Sequence, residues 1–187
     1  GIISLDFPDS LETIESAAFM QCTSLESVNF NEGLKTIEYQ AFYGCSSIKS
    51  IVFPNSLTNI GVSSYSGTFE GCTNLESVVH ENGIERIESG AFAGCKMLTS
   101  IQIPQSVTRL EQRLFEDCTK LTEVILPRTI ERIEPYMFSG CTSLTSYSIP
   151  SSVVSIGQNA FERSGLKAVN IPLNVKTIED GAFIECQ

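Results

Sequence analysis

The chain has 187 residues with 42% hydrophobic content, enough apolar side chain for a sizeable core and too much for a disordered chain. No apolar run approaches the roughly 18 to 20 residues of a membrane-spanning helix, and residues 1–10 lack a basic segment followed by an apolar one, so no export signal is visible. Twelve Lys and Arg against 22 Asp and Glu give a formal charge of −10, which argues against nucleic-acid partners and against attraction to anionic lipid.

The predicted elements recur along the chain. Phe19, Phe42, Phe69, Phe92, Phe115, Phe138, Phe161 and Phe183 are spaced 23, 27, 23, 23, 23, 23 and 22 residues apart. Cysteine follows three residues later at Cys22, Cys45, Cys72, Cys95, Cys118, Cys141 and Cys186, with Ser164 as the one interruption. Each phenylalanine is preceded by an isoleucine column, Ile14, Ile37, Ile60, Ile87, Leu110, Ile133, Ile156 and Ile178. Three residues earlier stand Leu11, Leu34, Leu57, Ile84, Val107, Ile130, Val153 and Val175. Pro8, Pro54, Pro104, Pro127, Pro150 and Pro172 mark a turn that Asn31-Glu32-Gly33 and Glu81-Asn82-Gly83 make in the other two units. One unit cannot bury its own apolar side chains. Stacked units share a core, so the pattern predicts a solenoid of about eight turns of 23 residues over 1–187, read as a single domain and a piece of a longer protein.

Within a unit, the run Leu98-Thr99-Ser100-Ile101-Gln102-Ile103 predicts a strand with Ile101 and Ile103 facing inward and Ser100 and Gln102 outward. Proline ends it, having no N–H for a ladder. The V-x-x-I segment predicts a second short extended piece, and A-F-x-x-C a tight helical turn. The fold class is therefore a mostly β solenoid of the α/β repeat type, with a parallel sheet along one face. Units such as Leu121 to Cys141 (LTEVILPRTIERIEPYMFSGC) resemble the BspA-type, or Treponema pallidum type, leucine-rich repeat over essentially the whole chain. The resemblance implies a right-handed leucine-rich-repeat superhelix. It also implies a surface or secreted protein of adhesin type, binding host or cell-surface macromolecules.

The search for chemistry yields little. Seven thiols in one column lie about 4.8 Å apart on strand spacing, a poor match to disulfide geometry; they read as buried free thiols filling small apolar space. Zinc would need four converging ligands, and the one histidine, His80, is remote from any cysteine cluster in sequence and falls in the core-facing column of Phe30, Phe53, Ile103, Leu126, Ile149 and Ile171. No catalytic residue, cofactor or metal is expected. Glu15, Glu38, Glu88, Glu111, Glu134 and Glu179 form a ladder, and Arg86, Arg109 and Arg132 should pair with Glu88, Glu111 and Glu134 as a solvated, self-compensating strip.

Binding is expected on outward strand residues. One row is Ser4, Ser27, Ser50, Ser77, Ser100, Glu123, Ser146 and Ala168; the next is Asp6, Asn29, Val52, Val79, Gln102, Ile125, Ser148 and Asn170. Val52, Val79 and Ile125 are apolar where solvent is expected, and with Gln102 they form the candidate site. Tyr65, in a four-residue insertion between Gly61 and Gly67, is a second candidate. The expected partners are protein or glycan, extracellular-matrix proteins among them, with no nucleic acid and no membrane insertion. A structural spacer that displays neighbouring domains, with end-to-end self-association, is the alternative reading.

Overall fold

The computed structural model describes residues 1–61, 67–80 and 83–186. Among them, eight three-residue strands alternate with eight two-residue strands, and no helix forms. The three-residue strands are β1 (Ser4–Asp6), β3 (Ser27–Asn29), β5 (Ser50–Val52), β7 (Ser77–Val79), β9 (Ser100–Gln102), β11 (Glu123–Ile125), β13 (Ser146–Ser148) and β15 (Ala168–Asn170). The two-residue strands are β2 (Thr13–Ile14), β4 (Thr36–Ile37), β6 (Asn59–Ile60), β8 (Arg86–Ile87), β10 (Arg109–Leu110), β12 (Arg132–Ile133), β14 (Ser155–Ile156) and β16 (Thr177–Ile178). All pairing is parallel and joins equivalent positions of consecutive units, as in Ser50 with Ser77 and Val52 with Val79.

The solenoid and both extended segments are as the sequence predicts; the helical turn is not. In the fifth unit, Arg113 and Asp117 have φ of 61° and 56°, in the left-handed region that interrupts an α-helix. Glu116 and Cys118 N–H bond within the turn, to Arg113 and Phe115 oxygens. Arg113, Phe115 and Asp117 N–H instead reach forward to Pro135, Met137 and Ser139 oxygens of the next unit. A helix would close these bonds on itself. The left-handed residues turn alternate N–H groups along the solenoid axis, so the turn becomes a third column of contacts between units. Glycine supplies that conformation two residues after the phenylalanine at Gly44, Gly71, Gly94 and Gly140.

The core is a stack of identical positions. Phe19 to Phe183 form a continuous aromatic ladder with centroid separations of 5.3, 5.3, 5.9, 6.2, 5.9, 5.2 and 5.2 Å. The six from Phe42 to Phe161 are fully buried. Inward strand residues such as Ile51, Ile101 and Val124 pack on this ladder. Tyr147 takes the same inward column, with its ring 5.0 Å from Phe138 and 5.7 Å from Phe161. Its hydroxyl is buried and has no hydrogen-bond partner among the described residues.

The strand pairing, unlike the aromatic ladder, is interrupted at defined boundaries. The three-residue strands pair two by two, β1 with β3, β5 with β7, β9 with β11 and β13 with β15. The two-residue strands form one sheet from β2 to β10 and a second from β12 to β16.

Two substitutions separate packing from polarity in this core. Phe115→Ala should lower unfolding stability by about 3 to 5 kcal/mol, through lost burial and the cavity it leaves. Tyr147→Phe should leave stability unchanged or raise it by about 1 kcal/mol, because it removes an unpaired buried hydroxyl. Chemical denaturation of the two variants checks both, and a Tyr147→Phe protein as unstable as Phe115→Ala would contradict this account.

Candidate functional site

The three-residue strands present two exposed rows. Every member of the serine row, Ser4 to Ala168, is exposed, and so is every member of the second row, Asp6 to Asn170. Small side chains in the first row leave the second unshielded. Val52, Val79 and Ile125 are 60%, 52% and 45% exposed. Val52 is the registered partner of Val79, and Gln102 of Ile125, so the four residues lie along one row in two adjacent pairs. Tyr65 lies outside the described residues, as do residues 62–66 of the insertion. Its two ends are tightly seated: Gly61 has φ of 81°, and a Cβ on Gly67 would lie 1.7 Å from the Gly90 carbonyl oxygen.

One feature of this face has no counterpart in the sequence pattern. Beside Ile125, a furrow of about 610 Å³ opens between β11 and β13, with Glu123, Arg128, Ser146 and Ser148 on its walls. It combines an exposed apolar group with opposite charges and two hydroxyls.

The two-residue strands carry the charged strip. Arg86, Arg109 and Arg132 pair with Glu88, Glu111 and Glu134 at 2.7, 2.6 and 3.2 Å, as expected. Arg132 also reaches Glu179 at 2.7 Å, crossing the position where Gly157 interrupts the glutamate column. Lys35 pairs with Glu12 at 2.8 Å. The strip is not uniformly solvated as expected: Glu88 is only 6% exposed. Gly61 is the reason. A Cβ there would stand 2.7 Å from the Glu88 Cβ, so the missing side chain lets Glu88 lie against the neighbouring unit. Burial, then the like charges of Glu111 and Glu179 against the opposing Arg132, raises the Glu134 carboxyl above its ordinary value. These arginines all have carboxylate partners, which suits a structural seam better than an anion site.

The cysteines form an ordered column of free thiols, with Cys45 to Cys141 buried and Cys22 and Cys186 half-buried. Each thiol from Cys45 onward donates to the carbonyl of a phenylalanine one unit back, for example Cys118 to Phe92 at 3.1 Å and Cys141 to Phe115 at 3.2 Å. The apolar-filler reading therefore omitted a polar role: the sulfur supplies a second donor to a phenylalanine carbonyl that already accepts the backbone N–H three residues on. Burial pushes the Cys45 thiol up to about 11 and Cys118 to about 12, and raises Cys72, Cys95 and Cys141 also. His80 is half-buried in its core-facing column. Among the described residues, no group of three or more His, Cys, Asp or Glu is placed to hold a metal ion.

The comparisons agree with this geometry. The family model for the BspA type leucine rich repeat region matches residues 1–68 and 63–187. The chain belongs to the BspA-type leucine-rich repeat family. A leucine-rich repeat protein from Eubacterium ventriosum shares 26% identity and a TM-score of 0.78, over 94% of this chain and 46% of that one. The T. pallidum leucine rich repeat protein shares 36% identity and a TM-score of 0.68, over 76% of this chain and 64% of that one. A leucine rich cell surface protein from Faecalibacterium prausnitzii shares 25% identity and a TM-score of 0.64, over 99% and 57%. The chain thus spans about half to two thirds of the length of these proteins. No curated protein matches it.

Two outcomes follow. In the folded protein near pH 8, a thiol reagent should label Cys22 and Cys186 and leave the five buried thiols unmodified until denaturant is added; rapid labelling of all seven would refute the buried column. Because the Glu134 pKa is raised on folding, its contribution to stability is greatest while it is protonated and is lost as pH rises through the carboxylate range. Glu134→Gln should therefore gain on the parent chain with rising pH, a slope that parallel denaturation curves between pH 4 and 7 would reveal.

Proposed function

We propose that this chain is a non-catalytic protein-binding module of a surface or secreted, adhesin-like protein, and that it binds macromolecules of a host or of a cell surface through the three-residue-strand face. The observation that carries this reading is the row of exposed apolar residues, Val52, Val79 and Ile125, set among small polar side chains on a regular sheet. Such a row offers apolar contact area at little conformational cost, since β-branched side chains on a rigid strand have little rotamer freedom to lose. Gln102 continues the row with a hydrogen-bonding amide, and Tyr65 is assigned to the same interaction from its place in the insertion. The cell-surface description of the Faecalibacterium protein supports the location. Protein ligands, extracellular-matrix proteins among them, or glycans are the partners this face suits.

Binding of the purified chain to immobilised extracellular-matrix proteins, with light scattering alongside, tests the reading. Saturable binding by a monomer is expected, and the triple change Val52→Ser, Val79→Ser and Ile125→Ser should weaken it at least about tenfold without loss of the fold. Unchanged affinity in a folded triple variant would remove the sheet face as the binding surface. End-to-end oligomers without any binding would favour the spacer reading instead.

A further inference from the structure

The chain carries six arginines, and among the described residues five of them meet a carboxylate. Arg128 does not. No ion pair or side-chain hydrogen bond engages its guanidinium, and none engages the carboxylate of Glu123. Both residues are exposed on the three-residue-strand face of the sixth unit, and both line the furrow beside Ile125.

The two charges depart from the repeat. Glu123 is the one charged residue in a row that is otherwise serine or alanine, from Ser4 to Ala168. Arg128 is the one base in the column that follows the proline, where Asp9, Glu32, Gln105 and Ser151 stand in other units. Neither charge holds the units together, yet the backbone beneath both is fixed. Thr122 and Glu123 N–H donate to the Thr99 oxygen at 2.9 and 3.4 Å. Pro127 is buried, and Arg128 N–H donates to Gln105 Oε1 at 3.0 Å. Ile125 stands between the charges in sequence, 45% exposed and two residues from Glu123 along β11, a step of about 7 Å. Across this strand the order is therefore anion, apolar group, cation, and the opposite charges do not meet each other.

Other hollows on the surface lack this combination. The one over β13 and β15 has no charged residue on its walls. Those beside the two-residue strands hold Arg86, Arg109 and Arg132, whose carboxylate partners are already in place. On the row itself, Val52 and Val79 have uncharged Ser50 and Ser77 beside them where Ile125 has Glu123.

We propose that Glu123, Ile125 and Arg128 form a bipolar recognition site for a protein partner, which brings a basic, an apolar and an acidic side chain in line to meet them. This inference rests on the reading of the three-residue-strand face as the binding surface. Charges flanking an apolar contact fix the register and orientation of what docks there. A neutral glycan would leave both charges without partners once water is excluded. An anionic polysaccharide would gain Arg128 but meet Glu123 as a like charge. A polypeptide carries both signs, and alternate side chains of an extended segment repeat at about 7 Å, the step from Glu123 to Ile125.

Three end-blocked peptides test it: Gly-Lys-Gly-Leu-Gly-Glu-Gly, the same peptide with lysine at both charged positions, and the same with glutamate at both. Each is titrated into the 187-residue chain at about 0.15 M salt and followed by NMR at the Ile125 methyl groups. The peptide of mixed charge should bind at least about threefold more tightly than either like-charged one. Arg128→Glu should shift the preference to the two-lysine peptide, and Glu123→Lys to the two-glutamate peptide. The proposal is overturned if the parent chain prefers a like-charged peptide or if no peptide moves the Ile125 signals. It is also overturned if folded charge variants keep the parent's preference. Both variants retain Val52, Val79 and Ile125, so a charge variant that binds matrix protein as the parent does overturns this inference and leaves the sheet-face reading standing.

Discussion

Everything in this molecule depends on contact between equivalent positions of successive units. A single unit has one or two phenylalanines, a few aliphatic side chains and strands of two or three residues, too little to fold alone. Stacking converts each position into a column. The phenylalanine ladder supplies dispersion and burial at separations of 5.2 to 6.2 Å. Three separate columns of backbone bonds, two in strands and one in the turn, hold the spacing. Stability is thus a property of boundaries between units more than of the units themselves.

That constraint explains what was legible in the sequence. The Phe, Cys and Ile columns fix the period, and a period-two alternation in L-x-x-V-x-I fixes which strand residues face outward. Exposure of both rows from Ser4 to Asn170 therefore follows from residue order alone. The turn was less legible, because A-F-x-x-C has the apolar spacing of a helix. Its telling signal was glycine at Gly44, Gly71, Gly94 and Gly140, a recurrence that marks positive φ rather than a helical interior. The thiol donors were hidden for a related reason: a cysteine column looks like small apolar filling until the phenylalanine carbonyl beneath it is seen.

Other features depend on relations across units that no single column displays. Glu88 is buried because Gly61, one unit earlier, has no side chain to hold it off. Arg132 bridges to Glu179 because Gly157 vacates the place between them. The furrow beside Ile125 arises from how the sixth unit sits between its neighbours, and residue type along β11 and β13 does not announce it. Sequence periodicity reports the average unit, whereas the candidate site is made by departures from it.

The arrangement of strands also decides how the molecule would bear a load. Strands run across the solenoid axis, and each backbone bond between units lies along it. Tension applied from end to end would meet the boundaries in series, so the weakest would part first and the rest would follow singly, as a zipper opens. Boundaries where one strand column is unpaired, such as β3 with β5 or β11 with β13, would yield before those where both columns pair. A surface protein built on this plan would extend under pull in steps of one unit and absorb work at each.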